Sequence, residues 1–251
     1  MTGPDRRAWT RVIMGMPISL HLRGPGVRTD AAAEAVVAEV FSHLRAIDRL
    51  FSLHRPGSEV NRVRRGELPP GGRHPWVREV ARLCAEARER TDGWFDADLP
   101  GGYDPSGLVK GWAAQTAAAL LDRLPDHDYC LNAGGDVVVA ARGPDSAAWR
   151  VGVEDPRDRG RLLAVRTVRA GGVATSGTAA RGHHIVDPRT GAPARALMSA
   201  TVTGPSLLWA DVYATAAIAR GGNVERWVRA RAPDYEACFV VRCPEPARRN
   251  R

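Results

Sequence analysis

Five short polar stretches in this 251-residue chain carry residue types that packing alone does not require. In Asp104-Pro105-Ser106-Gly107-Leu108-Val109-Lys110-Gly111-Trp112, a helix starting near Leu108 puts Lys110 in its first turn. Free N–H groups and the positive dipole end there suit an anion, and a lysine adds a full charge. The spacing is not that of a Walker A phosphate loop. Asn132-Ala133-Gly134-Gly135-Asp136 sets a glycine pair in an apolar strand context. It reads equally as a bulge or tight turn, or as a close approach of backbone to a ligand. Ala174-Thr175-Ser176-Gly177 reads as a hydroxyl-rich turn. In His183-His184-Ile185-Val186-Asp187-Pro188-Arg189-Thr190-Gly191, adjacent histidines on a strand point to opposite faces. That argues against a zinc site from His183, His184 and Asp187, and for a polar turn positioning one histidine. Finally, Asp211 and Thr215 lie four apart in a helical segment, so a carboxylate and a hydroxyl converge. Such a pair suits a hard cation such as Mg²⁺; an N-capping Asp beside an unrelated Thr is the plainer alternative.

The elements that must position these residues follow from periodicity. A strand is expected over Val12–Leu22, and a long amphipathic helix capped by Asp30 carries Ala33, Val36, Val37, Val40, Leu44, Ile47 and Leu50. A loop leads into Ser58–Asn61, a helix covers about Pro75–Arg90, residues 91–107 are irregular, and a third helix runs from Leu108 to about Leu121. Strands are expected at Asp128–Leu131, Val137–Ala141, Trp149–Val153, Leu162–Val168, Ala200–Thr203 and Tyr235–Val241, with helices near Ala210–Ala219 and Val224–Ala230. Helices gather early and strands late without βαβ alternation, which argues an α+β fold.

Composition narrows the function classes. Hydrophobic residues are 44% and charged residues 25%, the ordinary mix of a globular protein, and no apolar run approaches a membrane span. The net charge of +8 suggests an acidic partner, but the basic residues are scattered and lack interleaved aromatics, so nucleic acid is not expected. Of 36 basic residues 35 are arginine, and Lys110 is the only lysine. The skew reads as composition pressure, under which a lone lysine points to a task that guanidinium cannot do. Cys84, Cys130, Cys238 and Cys243 form no CxxC pair and read as buried thiols in a reducing compartment.

Taken in order, the stretches resemble the ApbE family, the FAD:protein FMN transferases. The resemblance runs from Met14-Gly15-Met16 through Phe51-Ser52 with Ser58, Gly93-Trp94-Phe95-Asp96, Asp104 with Gly107 and Lys110-Gly111, and Asn132 with Gly134-Gly135-Asp136. It continues through Thr175-Ser176-Gly177, His183-His184-Ile185 with Asp187-Pro188 and Thr190-Gly191, and Ala210-Asp211 with Thr215. It implies an ApbE-like flavin transferase fold of α+β class, with a mixed or antiparallel sheet core and flanking helices. It also implies FAD as substrate, Mg²⁺, and transfer of FMN to a Thr or Ser hydroxyl of a target protein with release of AMP. By position it implies Gly107, Asp211 and Thr215 as metal ligands, and Met14, His54, Trp94, Phe95, Asp96, Asp104, Lys110 and Ile185 as FAD contacts. His184 would be the base, with Asp187 orienting it, and Lys110 would act on the diphosphate. The chain departs from the family pattern at Met16 (Thr), His54 (Tyr), Asn61 (Ser) and Arg64 (Asn). Asp96 and Asp104 are eight residues apart, where the family has a few dozen.

The expected organisation is a single domain over residues 1–251, with sub-lobes at about 1–125 and 126–251. The same residues would serve an Mg²⁺-dependent FAD pyrophosphatase giving FMN and AMP, or a flavin-binding protein without catalysis. The polar, Arg-bearing segment Met1–Arg11 has no apolar stretch of signal-peptide length behind it, so a cytoplasmic protein with no stable membrane insertion is expected, its acceptor on a separate protein.

Overall fold

Met14 and Gly15 both take left-handed backbone, with φ of 55° and 70°. Two consecutive positive φ values make the tight reversal that matches the twist of antiparallel strands. The segment expected as one strand is therefore a hairpin of β1 (Arg6–Ile13) and β2 (Met16–Arg23), with Met14 in its turn. This computed structural model describes residues 5–99, 101–177 and 185–242, less the side chains of Arg159 and Phe239; His183, His184 and Cys243 lie outside them.

Helix α1 (Ala31–Phe51) begins as expected, the Asp30 carboxylate accepting from Ala32 N–H and Ala33 N–H. Ser58 caps a short α2 (Glu59–Arg64), and α3 (Pro75–Arg90) has the expected bounds. Among the described residues of the segment expected to be irregular, 91–107, the elements before α4 are the two-residue strands β3 (Asp98–Leu99) and β4 (Gly102–Tyr103). Helix α4 (Ser106–Ala119) starts two residues earlier than expected, because Asp104 Oδ1 accepts Ser106 N–H at 2.9 Å and brings the chain into helix there. Lys110 consequently sits in the second turn, away from the free N–H groups.

The second half runs β5 (Asp128–Ala133), β6 (Asp136–Ala140), β7 (Trp149–Asp155), β8 (Asp158–Val168), β9 (Ala170–Gly177), β10 (Leu197–Gly204), α5 (Leu207–Arg220), α6 (Val224–Arg231) and β11 (Glu236–Arg242). Seven strands form one sheet in the order β1-β2-β5-β6-β9-β10-β11, antiparallel at every pairing. The fold is α+β, and its main sheet takes strands from both ends of the chain because β2 pairs with β5. Strand β6 is buried on both faces: Val138 joins the main core beneath the helices, while Val137 and Val139 pack with Val151 and Val168 of the β7–β8 hairpin. That is why Asp136–Ala140 reads as an unbroken apolar run after its first residue.

Ala174–Gly177, expected as a turn, is the end of β9, an interior strand between β6 and β10. Its glycines misled the expectation, since they serve close packing rather than reversal. A Cβ on Gly172 would lie 2.6 Å from the backbone nitrogen of Leu207, so only glycine lets the start of α5 rest on the sheet. Among the described residues, no helix is long and apolar enough to cross a membrane.

Gly172→Ala is expected to destabilise the protein by about 1–3 kcal/mol through this overpacking. Urea unfolding measures it; an unchanged midpoint would mean that α5 does not depend on close contact with β9.

Candidate active site

Helices α4 and α5 pack side by side on the sheet through small residues. A Cβ on Gly111 would lie 2.8 Å from Cβ of Asp211, so glycine at this position is what permits their approach. Across this seam Gly111 N–H donates to Asp211 Oδ2 at 3.0 Å. Asp211 is 1% exposed and lies in the second turn of α5, so it is no N-cap.

Lys110, next to Gly111, reaches two carboxylates. Its Nζ is 2.6 Å from Asp136 Oδ2 and 3.6 Å from Asp211 Oδ1. Asp136 opens β6 directly after the Gly134-Gly135 turn and is fully buried. Its other oxygen, Oδ1, accepts Thr175 N–H at 3.0 Å. The pair of glycines is a tight turn, with φ of 61° and 104°, locked where Asn132 Oδ1 accepts Gly135 N–H at 2.8 Å. Ionising both buried acids against one ammonium would leave an excess negative charge. Burial first, and then the Asp136 charge, push the Asp211 carboxyl up to about 8, against the pull of Lys110 and Gly111 N–H.

One turn further along α5, Thr215 Oγ1 shares a 3.1 Å hydrogen bond with Ser176 Oγ of β9. Gly107 lies against it: a Cβ there would be 3.4 Å from Thr215 Cγ2 and 3.2 Å from the Phe95 ring. Gly107, Lys110, Asp211 and Thr215 are thus brought to one seam, with Phe95 behind them. The groups they offer are the Asp211 carboxyl, the Thr215 hydroxyl and the Gly107 peptide carbonyl, all hard oxygens. This donor set fits Mg²⁺. No group of three or more His, Cys, Asp or Glu side chains that could hold a metal occurs among the described residues, which do not include His183 and His184.

The other expected contacts lie in the surrounding loops. Half-buried Trp94 is covered by Arg189, whose guanidinium carbon is 3.8 Å from the ring centroid. A cavity of about 530 Å³ opens beside them, walled also by Arg220, Asn223 and Trp227. Asp96 pairs with Arg88 at 3.0 Å and accepts Asp98 N–H, so it organises the entry into β3. Ile185 is half-buried and accepts Ala194 N–H through its carbonyl at 2.9 Å. Asp187 Oδ1 accepts Arg189 N–H at 2.9 Å, building the turn expected from its sequence. His54 is exposed in the turn after α1 and makes no hydrogen bond or ion pair with the Lys110 cluster. The base candidate His184 falls outside the described residues. Sequence reasoning gave no role to Asp136, Thr175 or Ser176; the signal was an acid at the head of Asp-Val-Val-Val-Ala, where a charge has to be buried.

A carboxyl whose folded pKa is raised contributes stability at low pH and loses it as pH climbs toward that value. Without added cation, the wild type is therefore expected to lose Tm between about pH 5 and pH 8. Asp211→Asn, which has no proton to release, is expected to lose less. Parallel Tm–pH slopes for the two proteins would count against a raised Asp211 pKa.

The ApbE family profile matches residues 102–239, which include every member of this cluster. The FAD:protein FMN transferase of Klebsiella pneumoniae is 30% identical over 139 residues, covering 51% of this chain and 40% of the relative. That of Rhodobacter capsulatus is 32% identical over 164 residues, covering 60% of this chain and 31% of the relative. The matches thus span well under half the length of these relatives. Among solved structures, the ApbE protein of Thermotoga maritima superposes with a TM-score of 0.81 at 19% identity, covering 95% of this chain and 94% of that one. The apo flavinyl transferase ApbE of Pseudomonas stutzeri gives 0.80 at 23% identity, covering 98% and 94%. With its seven-stranded sheet, its α4–α5 seam and a profile match over more than half its length, the chain belongs to the ApbE family.

Proposed function

We propose that this chain, working as one domain, moves FMN from FAD to a Thr or Ser hydroxyl of a separate acceptor protein and releases AMP. The observation that carries this reading is the pairing of two buried acids with one ammonium at the α4–α5 seam. Asp136 and Asp211 outnumber Lys110, so both can be ionised together only when another cation joins them. Asp211, Thr215 and the Gly107 carbonyl would hold Mg²⁺, which when bound neutralises diphosphate oxygens and eases departure of AMP. The named activity of the relatives supports the same reading.

In this scheme the acceptor hydroxyl attacks the FMN-side phosphorus, its proton passes to a base, and the P–O bond to AMP breaks. His184 is the proposed base, worth roughly 10²–10⁴-fold. Asp187 shapes the turn that follows it and would orient it. Lys110 is a quarter exposed, so its ammonium reaches the surface of the cluster and would meet the diphosphate there. Met14, His54, Phe95, Asp96, Asp104 and Ile185 would line the FAD site. Trp94 and its Arg189-covered cavity would take part of the dinucleotide. The free thiols Cys84, Cys130 and Cys238 support a cytoplasmic setting.

Incubating the protein with FAD, Mg²⁺ and an acceptor-Thr peptide is expected to release AMP and raise the peptide mass by one FMN. AMP release with no mass gain would make the protein an FAD pyrophosphatase; tight FAD with no AMP would make it a flavin carrier. Asp211→Asn is expected to abolish transfer while its circular dichroism stays that of wild type. Lys110→Arg, which keeps the charge and loses the compactness, is expected to lower kcat at least about tenfold, an effect of ~1.4 kcal/mol. Full activity in either variant would remove that residue from the scheme.

A further inference from the structure

Each of the two buried acids at the seam has one oxygen tied to the backbone and one turned to the same ammonium, and the two acid side chains also lie within hydrogen-bond reach of each other. Asp136 Oδ1 is held by Thr175 N–H at 3.0 Å and Asp211 Oδ2 by Gly111 N–H at 3.0 Å. Lys110 Nζ does not divide itself evenly between the remaining oxygens: it is 2.6 Å from Asp136 and 3.6 Å from Asp211. Bracing β6 against β9 would need no charge, since an Asn side chain accepts an N–H equally well. Burying a carboxylate instead costs several kcal/mol of desolvation unless a partner compensates it. The charge of Asp136 therefore has its purpose in the ammonium. The anchors also limit the response: neither carboxylate can follow the lysine without losing a backbone hydrogen bond, whereas the flexible stem of Lys110 can reach either.

We propose that Asp136 is a positioning residue that holds the Lys110 ammonium away from Asp211, keeping Asp211 Oδ1 open to a divalent cation. The inference rests on the reading of Asp211 as a metal ligand. Without Asp136 the lysine would close on Asp211 and compete with the metal from inside the protein. Asp136 touches neither the reacting phosphorus nor the metal in this account; beyond the direct effect of its charge on Asp211, it acts through Lys110.

Calorimetric titration of Mn²⁺ into flavin-free protein tests it. Asp136→Asn retains the acceptor for Thr175 N–H and is expected to weaken Mn²⁺ binding by at least about tenfold, ~1.4 kcal/mol. Adding Lys110→Met to that variant removes the internal competitor and is expected to restore affinity to within about threefold of wild type. Damage to the β6–β9 contact alone would not be mended this way. A crystal structure of Asp136→Asn is expected to show Lys110 Nζ in direct contact with Asp211, at about 2.8 Å. Unchanged Mn²⁺ affinity in Asp136→Asn, no recovery in the double variant, or an ammonium left where it was would each overturn the proposal. If Asp211→Asn abolishes Mn²⁺ binding while Asp136→Asn keeps it, the positioning role falls and the metal site stands. If wild type binds no Mn²⁺, or binds it equally well without the Asp211 carboxylate, both fall together.

Discussion

Two acids all but sealed from water between a sheet and two helices, with one partly exposed ammonium against them, set the terms for the rest of this structure. Charges in such a place are tolerated only when hydrogen bonds and ion pairs replace their hydration. Here three groups from two elements replace it: the lysine and Gly111 N–H from α4, and Thr175 N–H from β9. Each requires its element to lie within hydrogen-bond distance of the others. The glycines at Gly111 and Gly172 make that possible, since a Cβ at either would collide with α5.

The strand alternation of β9 then distributes the site chemistry. Val173 and Thr175 face one side, where Val173 joins the smaller core and Thr175 Oγ1 meets Thr201 of the neighbouring strand at 2.8 Å. Ala174 and Ser176 face the helices, so Ser176 reaches Thr215. A one-residue slip in the β6–β9 register would turn Ser176 away from α5 and take the Thr175 amide off Asp136. Two tight turns, Met14-Gly15 and Gly134-Gly135, set the neighbouring registers of β1 with β2 and of β5 with β6. They come together where Gly134 N–H donates to the Pro17 carbonyl at 3.2 Å.

What was legible in the sequence tracks what is local. The cap of α1, the bounds of α3 and the Asp211–Thr215 spacing depend on neighbours three or four residues apart, and each followed from pattern alone. The hairpin at Met14-Gly15 was missed because Met is a poor advertisement for a positive φ. Strand β9 was missed because its glycines and hydroxyls look like a turn until α5, some thirty residues later, is laid against them. Asp136 belongs to the same class. Its partners are 26 residues before it and 39 after it, so nothing beside it in the chain reports that its charge is matched.

The composition of the chain bears on this site more directly than on any other. Wherever a surface cation is needed the sequence supplies arginine, as in the pairs of Arg88 with Asp96 and Arg231 with Asp92. At the seam that substitution meets geometry. A guanidinium is a flat fork with five N–H donors, and a site closed on two carboxylates whose other oxygens are already bound offers acceptors for only some of them. The remaining donors would be buried without partners. An ammonium is compact, and its flexible stem allows contact with Asp136 while staying one ångström further from Asp211. The single lysine in a chain of arginines is accounted for by the narrowness of this gap, and on the proposed reading the gap leaves one acid paired and the other available.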